Sequence, residues 1–422
     1  MQVTIHDVDD FKRKALAFSN QFEICCLLDS NQYQDPYSKF DLLFAIDYID
    51  KIETKKVNNS FEQLEAFKLK NRGWLFGGLG YDLKNEIEDL TSKNEDHLNF
   101  PDLFFFAPKH LLILKGNQLE IVSDDAENIW FQLQNSVKEP ANSSAKSEIK
   151  CRFSKADYIQ TLEEIKTEIS KGNIYETNFC IEFYAENMVI NPSEIFQQLN
   201  LVSPTPFANY FKWFDKYIIS ATPERFLSKR GNKLISQPIK GTAKRSANHE
   251  EDEQIKNDLG NHPKEQQENV MIVDLVRNDL TKSAKKGTVT VEELFGIYSF
   301  KQVHQMISTV VCQIKDEVTS VEALKNAFPM GSMTGAPKIK AMLLMDHYER
   351  SQRGIYSGAV GYFSPEGDFD FNVIIRTILY NETEKYLSFH VGSAITYYAN
   401  AENEYEECLL KIKAILEVLS YK

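Results

Sequence analysis

Two pairs of glutamates, three residues apart within each pair, are the first groups in this sequence that could do chemistry. Glu265 and Glu268 lie in "PKEQQENVMIVDLVRNDL", and Glu404 and Glu407 lie in "ENEYEECLLKIKAIL". This spacing places both carboxylates of a pair on one face of a helix. If the two helices converge, the carboxylates would form an oxygen-rich site suited to Mg²⁺, which keeps several waters beside one or two protein carboxylates. The alternative is that each pair only interacts favourably with its helix dipole.

A phenol and a guanidinium form a second candidate group. Tyr356 and Arg376 are each ten residues from Glu366 in the turn "SPEGD" (366 − 356 = 376 − 366), so a simple hairpin would make them near cross-strand neighbours. The guanidinium fork binds two carboxylate oxygens, which predicts a carboxylate site. A surface cross-strand pair is the other interpretation. Lys411, one turn after Glu407, lies on the same helix face, where an anionic substrate would attract it.

A lysine and a glutamate form the third group. Lys240 in "QPIKGT" and Glu224 in "TPERF" are each eight residues from Asn232 (240 − 232 = 232 − 224), so a hairpin would bring them opposite each other to within one residue, although Pro238, which cannot donate to a ladder, leaves the register open. If the pair is buried, each partner tunes the pKa of the other, and an acid can coexist with a nucleophilic amine near neutral pH. At the surface it would be an ion pair of small energy.

The elements that must position these groups follow from the sequence pattern. Ser154 caps a predicted helix, a strand follows in "NIYETNFCIEFYAEN", a hairpin turns at Gly231-Asn232, and Pro263 opens the second of two helices. The sequence then predicts the strands "QVHQMISTVVCQI" and "YLSFHVGSAITYY", a long hairpin between them and a final amphipathic helix. This order lacks a regular βαβ rhythm. It predicts an α+β fold in which two large, mostly antiparallel β-sheets pack as a sandwich with helices outside.

Composition narrows the function classes. With 422 residues and 42% hydrophobic content, the chain can bury a large core, and no stretch approaches the roughly 20 apolar residues that span a bilayer. A net charge of −13 argues against nucleic acid or an anionic membrane as a partner. The six cysteines include no C-x-x-C pair and no Gly-x-Cys-x-Gly elbow, which argues against a zinc site or an amidotransferase nucleophile. We therefore expect a cytoplasmic protein with reduced thiols.

The chain divides into three predicted regions. Residues 1–132 mix short apolar strands with the glycine-rich segment "NRGWLFGGLGYDL". Residues 133–152 are polar and rich in Ser, Asn and Lys, which is typical of a linker. Residues 153–422 carry every candidate group named above.

Together these segments resemble the chorismate-binding enzymes. The segments "SATPERFL", "QPIKGT", "ENVMIVDLVRNDL", "FPMGSMTGAPKIKAM", "RGIYSGAVGYFSPEGDFDFNVIIRT" and "EYEECLLKIKAIL" occur in that family's order and rough spacing. The resemblance covers about residues 153–420 and is highly specific there. Elsewhere, "LLDS" resembles the "LLES" of the tryptophan-binding region in anthranilate-forming members, and "SPTPF" resembles the accompanying "NPSPY". Residues 1–132 are then an amino-terminal region with a remnant of a tryptophan site, and 153–422 a chorismate-binding catalytic domain with the family's fold.

The resemblance implies a role for each candidate residue. Glu268 and Glu407 match the family's Mg²⁺ ligands, and Glu265 and Glu404 match the accompanying carboxylates. The residues that match positions holding the substrate, the last four through backbone, are Tyr356, Arg376, Lys411, Gly241, Thr242, Gly392 and Ser393. Chorismate is a dianion, so a local cluster of cations and a metal ion is expected on an otherwise acidic protein.

Lys240 distinguishes between branches of the family. Anthranilate-forming members typically read P-I-A-G-T, whereas members that aminate chorismate at C4 read P-I-K-G-T, as here. The resemblance implies that the Lys240 amine attacks C2 of chorismate while Glu224 acts as the acid for the departing 4-hydroxyl.

Three further positions indicate which branch of the family the chain resembles. Glu176 stands where isochorismate- and salicylate-forming members carry a water-activating lysine. Gln305 stands where anthranilate-forming members carry a histidine linked to pyruvate loss, and His304 is one residue early. Ala394 replaces a glycine near the substrate.

The resemblance therefore implies a Mg²⁺-dependent enzyme that aminates chorismate at C4, on the route to 4-aminobenzoate and folate. Ammonia would come from a separate glutamine amidotransferase subunit in a heterodimer. Formation of anthranilate is the alternative activity. A non-catalytic regulator that binds chorismate or tryptophan is the alternative of another class.

Overall fold

The structure is a computed structural model that describes residues 1–136 and 147–420. Half of the predicted linker over 133–152, residues 137–146, lies outside these described residues. Within them, the strands are β1 (Gln2–Thr4), β2 (Ile24–Asp29), β3 (Leu42–Thr54), β4 (Leu75–Leu79), β5 (Leu103–Lys115), β6 (Gln118–Val122), β7 (Lys150–Cys151), β8 (Glu176–Ala185), β9 (Phe207–Trp213), β10 (Lys216–Thr222), β11 (Arg225–Arg230), β12 (Lys233–Gln237), β13 (Ile239–Lys244), β14 (Thr290–Ser299), β15 (Val303–Gln313), β16 (Gly335–Ala336), β17 (Ala359–Phe363), β18 (Phe369–Val373), β19 (Thr377–Asn381) and β20 (Tyr386–Thr396).

The helices of the same described residues are α1 (Val8–Ser19), α2 (Ser60–Lys70), α3 (Lys84–Ile87), α4 (Ala126–Gln134), α5 (Lys155–Ser170), α6 (Pro192–Val202), α7 (His249–Asn261), α8 (Pro263–Ser283), α9 (Ser320–Ala327), α10 (Lys338–Tyr348) and α11 (Ala401–Ser420), with short 3₁₀ turns at Tyr81–Leu83 and Gly331–Met333. The predicted α+β class is confirmed.

Backbone ladders join the strands into one antiparallel sheet. The long strands β3 and β5 pair along their lengths, and the two ends of β5 continue to different neighbours, β4 and β6. From β3 the ladder runs through β2, β9, β10, β19, β20 and β8. From β4 it runs through β17, β18, β11, β12 and β15. The prediction of two sheets packed as a sandwich is therefore not confirmed, because both branches share the β3–β5 pair.

Segments from both sides of the linker share this sheet and its apolar cores. Strand β2 pairs with β9, and β4 pairs with β17. One apolar cluster includes Phe76, Phe105 and Phe371, and a second includes Phe11 and Phe179. Residues before and after the linker therefore stabilise one another by burial of apolar area. The domain boundaries at 132 and 153 stay a prediction.

Several local elements follow directly from the sequence. The Ser154 side chain accepts a hydrogen bond from the Asp157 amide at 3.1 Å and caps α5 as predicted. The hairpin between β11 and β12 turns at Gly231, whose φ of +59° lies in the region that favours glycine. Helix α8 begins at Pro263, also as predicted.

Two properties of the described residues bear on the cellular setting. None of their helices is both long and apolar enough to cross a membrane. All six cysteines belong to the described residues and are free thiols.

Candidate active site

A cavity of about 690 Å³ lies between β13, α8, β20 and α11. Its volume is within the range of small-molecule binding sites. The predicted site residues that line it are Glu224, Lys240, Gly241, Thr242, Glu265, Glu268, Tyr356, Arg376, Gly392, Glu404, Glu407 and Lys411. Residues that are up to 187 positions apart (411 − 224) therefore converge on one space.

Lys240 lies on an irregularity of β13. The pairing of β13 with β15 shifts by one residue between Ile239 and Thr242, and Gly241 has a φ of +94°. A β-bulge of this kind re-aims a side chain, here toward the cavity. A Cβ on Gly241 would lie 3.1 Å from Glu265 Oε2, so glycine suits both the backbone angle and the close approach of α8.

The hairpin does not pair Glu224 with Lys240. Arg225 pairs with Gln237, and the strand that carries Lys240 begins only after Pro238 and pairs with β15 instead. Proline cannot donate to a ladder, so the chain changes strands at this point. Both side chains nevertheless line the cavity, Lys240 from strand β13 and Glu224 from the position just before β11.

The burial and the pKa of Glu224 suit a general acid. Its side chain is buried, and burial raises its pKa to about 7, against the opposing effects of the Ser332 hydroxyl, Lys240 and Lys411. A carboxyl group with this pKa is substantially protonated near neutral pH and can donate a proton.

Tyr356 and Arg376 both line the cavity, beyond the paired strands of their hairpin. Strands β17 and β18 pair Ala359 with Val373, which is the same register centred on Glu366. The Tyr356 ring stacks on the buried His390 ring, with centroids 4.9 Å apart. Arg376 is partly buried, and its removal from water lowers its pKa although Tyr356 and Glu407 oppose the shift. Its φ of +52° is rare for a residue with a side chain and is typical of a functional position.

Lys411 is held in place at the cavity wall. Its Nζ lies 2.7 Å from Glu407 Oε1 and donates a hydrogen bond to the Gly392 carbonyl at 3.0 Å. Burial disfavours its charge, but the Glu407 carboxylate outweighs this effect and raises the pKa of Lys411. The cavity therefore contains two partly buried cations, Lys411 and Arg376, which suits an anionic ligand.

The two glutamate pairs face each other across the cavity. Glu265 and Glu268 project from α8, and Glu404 and Glu407 project from α11. Burial, reinforced by the neighbouring Glu407 charge, raises the pKa of Glu404 to about 7. Burial and the Glu268 charge likewise raise the pKa of Glu265. Repulsion between neighbouring carboxylates therefore adds to burial in disfavouring the ionised form of these two glutamates.

Lys264 is a residue of this site that our sequence reasoning missed. Its Nζ lies 3.6 Å from Glu268 Oε1 on its own helix and 3.6 Å from Glu404 Oε1 on α11. The spacing of Lys264 and Glu268 at i and i+4 was the available signal.

The carboxylates fit a magnesium ion in their chemistry. As they stand, no three His, Cys, Asp or Glu side chains among residues 1–136 and 147–420 are grouped closely enough to hold a metal. However, carboxylate oxygens on facing helices are the ligands that Mg²⁺ prefers, and it needs only one or two of them. The Lys264 ammonium between Glu268 and Glu404 shows that a cation is accommodated between the helices.

Strands β8 and β20 form the floor of the cavity. Gly392 and Ala394 line it, and a Cβ on Gly392 would lie 2.7 Å from Asn178 Nδ2, so the Gly392 position is closed to larger residues. The Ser393 side chain points to the opposite face, where its hydroxyl lies 2.9 Å from the Tyr158 hydroxyl. Successive residues of a strand alternate between faces, so Ser393 reaches a ligand only through its backbone.

Glu176 lies on the same face of β8 as Asn178. It pairs with Thr396 of β20, two positions beyond the Asn178–Ala394 pair that lines the cavity. Burial raises its pKa, while the Lys240 charge opposes and the Glu268 charge adds to this shift. Within the described residues, its Oε2 atom has no hydrogen-bond partner.

Strand alternation also separates His304 from Gln305 on β15. Gln305 lines the cavity, and its Oε1 accepts no hydrogen bond from the described residues. His304 faces α7 instead, with Nε2 3.0 Å from Asp252 Oδ1 and Nδ1 2.8 Å from the Ser299 hydroxyl. The histidine therefore has a structural role away from the ligand.

Replacing His304 by alanine should lower the free energy of unfolding by about 2–3 kcal/mol, because Asp252 and Ser299 lose a buried partner. Urea denaturation measures this loss. Product identity should not change. Altered product with undiminished stability would contradict a structural role for His304.

The segments that resemble a tryptophan-binding region lie side by side. Strand β2, which contains "LLD", pairs with β9, which follows "SPTPF". The Asn31 amide donates hydrogen bonds to Asn200 Oδ1 and the Thr205 carbonyl, each at 2.8 Å. Side chains of the protein thus bridge this region, and a tryptophan site there stays a prediction.

The sequence matches one protein-family model over most of its length. The model of the chorismate binding enzymes covers residues 23–417. Among curated relatives, the chain is 34% identical to an aminodeoxychorismate synthase of Streptomyces griseus, over 82% of this chain and 50% of that protein. It is also 30% identical to aminodeoxychorismate synthase component 1 of Salmonella typhimurium, over 95% of this chain and 94% of that protein. The chain spans half the length of the Streptomyces griseus relative.

A solved structure supports the fold. Anthranilate synthase component I of Streptococcus pneumoniae superposes with a TM-score of 0.77 at 24% identity, covering 90% of this chain and 93% of that one.

Proposed function

Because the chain belongs to the chorismate-binding enzyme family, we propose that it catalyses the amination of chorismate at C4 to give 4-amino-4-deoxychorismate. The observation that carries this proposal is the presence of a primary amine, Lys240, and a buried acid, Glu224, in one cavity with two fixed cations. The names of the relatives from Streptomyces griseus and Salmonella typhimurium support the same activity.

Substrate binding follows from the charges of the cavity. Chorismate carries two carboxylates, and the Arg376 fork with the neighbouring Tyr356 hydroxyl suits one of them. Lys411 provides a second positive charge, fixed by Glu407 and the Gly392 carbonyl. Gly241, Thr242 and Gly392 line the same space. Ser393, the next residue of β20, would reach the substrate only through its backbone.

The residues support a reaction in two displacements. The Lys240 amine adds to C2 of chorismate, both conjugated ring double bonds shift by one position, and the C4–O bond breaks so that the 4-hydroxyl departs as water after taking the Glu224 proton. Ammonia then adds at C4, both double bonds shift back, and the Lys240 amine leaves C2 with the electron pair of its C–N bond. Glu224 regains a proton from solvent, so the net change is replacement of hydroxyl by amine.

Four carboxylates would hold magnesium. Glu268 and Glu407 are the proposed ligands, with Glu265 and Glu404 beside them. When bound, Mg²⁺ supplies positive charge near the oxygen that departs.

We place the reaction in the cytoplasm, with ammonia supplied by a separate glutamine amidotransferase subunit in a heterodimer. The "component 1" in the name of the Salmonella typhimurium relative supports a two-component enzyme. The acidic chain, with a net charge of −13, supports neither a nucleic acid nor a membrane partner. The product would serve the synthesis of 4-aminobenzoate and folate.

Product identity tests this proposal directly. The protein is incubated with chorismate, Mg²⁺ and an ammonium salt, and the products are separated by chromatography and weighed by mass spectrometry. We expect 4-amino-4-deoxychorismate. Fluorescent anthranilate would instead identify the alternative enzyme, and binding of chorismate without turnover would favour a non-catalytic regulator.

A further inference from the structure

Lys264 lies where positive charge is needed between the two glutamate helices. Its ammonium is 3.6 Å from Glu268 on α8 and 3.6 Å from Glu404 on α11. Taking the proposed magnesium site as a premise, we propose that Lys264 is an internal stand-in for the metal: it neutralises the glutamates of the metal-free protein, and its ammonium moves out when Mg²⁺ binds.

The different exposure of Lys264 and of its two glutamate partners supports an exchange of the lysine ammonium for Mg²⁺. The side chains of Glu268 and Glu404 are 11% and 5% exposed, whereas that of Lys264 is 45% exposed. The lysine thus reaches inward from the rim of the cavity, and its flexible stem can return the ammonium to water without any movement of the backbone.

The contacts of Lys264 are also weak enough to break. Both are ion pairs at 3.6 Å, beyond normal hydrogen-bond distance. Lys411, which also lies beside these glutamates, contacts Glu407 at 2.7 Å and the Gly392 carbonyl at 3.0 Å. Lys411 is therefore fixed, and Lys264 is the cation that can leave.

Electrostatics makes the two cations mutually exclusive. All four glutamates attract the Lys264 charge. A divalent ion between the same carboxylates would attract them more strongly and repel an ammonium a few ångströms away. Lys264 should therefore stabilise the metal-free protein and compete with Mg²⁺ for the same carboxylates.

Replacing Lys264 by methionine tests both the stabilisation of the metal-free protein and the competition with Mg²⁺, since methionine keeps an unbranched side chain and removes the charge. Magnesium binding to EDTA-treated protein is measured by calorimetry, and Tm is measured with EDTA and with Mg²⁺. We expect K264M to bind Mg²⁺ roughly five- to tenfold more tightly than the wild type. Its Tm should fall in EDTA, so that the gap in Tm between the two conditions widens.

Two further variants serve as controls. K264R keeps the charge and should bind Mg²⁺ within about twofold of the wild type. Lys282, also on α8, has a side chain that is 47% exposed and lies 3.9 Å from Asp279. Asp279 keeps Lys338 as a closer partner at 2.6 Å, so K282M should match the wild type in both measurements.

The outcomes separate the inference from the function on which it rests. If the wild type binds Mg²⁺ and K264M binds it no more tightly, Lys264 does not compete with the metal and only the inference fails. If the wild type takes up no Mg²⁺ at all, the proposed metal site is wrong and the inference falls with it.

Discussion

Replacing Lys240 by alanine should slow the formation of 4-amino-4-deoxychorismate by at least about a thousandfold, because the variant lacks the amine that is proposed to form the bond to C2. The side chain lies on a strand irregularity beside the cavity, so its loss should leave the fold intact. Steady-state kinetics with ammonium as the nitrogen source measure the effect, and circular dichroism checks the fold.

Two variants distinguish a nucleophile from a simple positive charge. K240R keeps the charge but not the primary amine, and it should be as inactive as K240A. Lys256, whose ion pair with Glu253 at 3.8 Å lies on α7, provides the control K256A, which should retain wild-type rates. Substantial activity in K240R would assign Lys240 an electrostatic role instead of a covalent one.

Replacing Glu224 by glutamine should lower kcat by about 10²- to 10⁴-fold, the usual contribution of a positioned acid. Burial raises the pKa of Glu224 to about 7, so its protonated fraction falls as the pH rises through that value. Wild-type activity should therefore decline above about pH 7, and the residual activity of E224Q should lack this decline. A pH profile of kcat for both proteins makes the comparison, and an unchanged profile would exclude Glu224 as the acid.

The same substitution should raise stability at neutral and higher pH. Because the pKa of Glu224 lies above its ordinary value of 4.5 in the folded state, its contribution to stability is fully present below 4.5 and is lost as the pH rises through about 7. Glutamine cannot ionise. We expect E224Q to exceed the wild type in free energy of unfolding by about 1–3 kcal/mol at pH 8 and not at pH 4. Urea denaturation at the two pH values tests this, and equal stability at pH 8 would contradict the buried, ionisable state of Glu224.

Local periodicity in the sequence was sufficient to predict which helix faces carry much of the candidate site. The i, i+3 spacing put each glutamate pair on one helix face, and both faces line the cavity. Symmetry about Glu366 correctly predicted the register of the hairpin, because β17 and β18 pair without a shift. Tyr356 and Arg376 lie beyond this ladder, and both line the cavity.

The same arithmetic failed for Glu224 and Lys240. The β11–β12 ladder shifts between Arg225 and Ser228, and the chain leaves it at Pro238. A shift or a change of strand depends on tertiary contacts that the sequence pattern does not record. The two residues meet because separate strands converge on the cavity.

Other features depend on long-range pairing in the same way. Strand β14 is mostly exposed and lacks apolar alternation, so its pairing with β15 left no pattern to detect. The face to which Ser393 points follows from the register of β20 on β8. The single connected sheet arises from the long β3–β5 pair, which no local signal predicts.

The most direct test of the account is mass spectrometry of the protein mixed with chorismate and Mg²⁺ in the absence of ammonia. Without the second nucleophile, the proposed reaction stops after the first displacement. The account predicts that a peptide containing Lys240 gains the mass of chorismate less one water, and that K240R gains nothing. An unmodified Lys240 in a preparation that makes 4-amino-4-deoxychorismate once ammonium is added would contradict it.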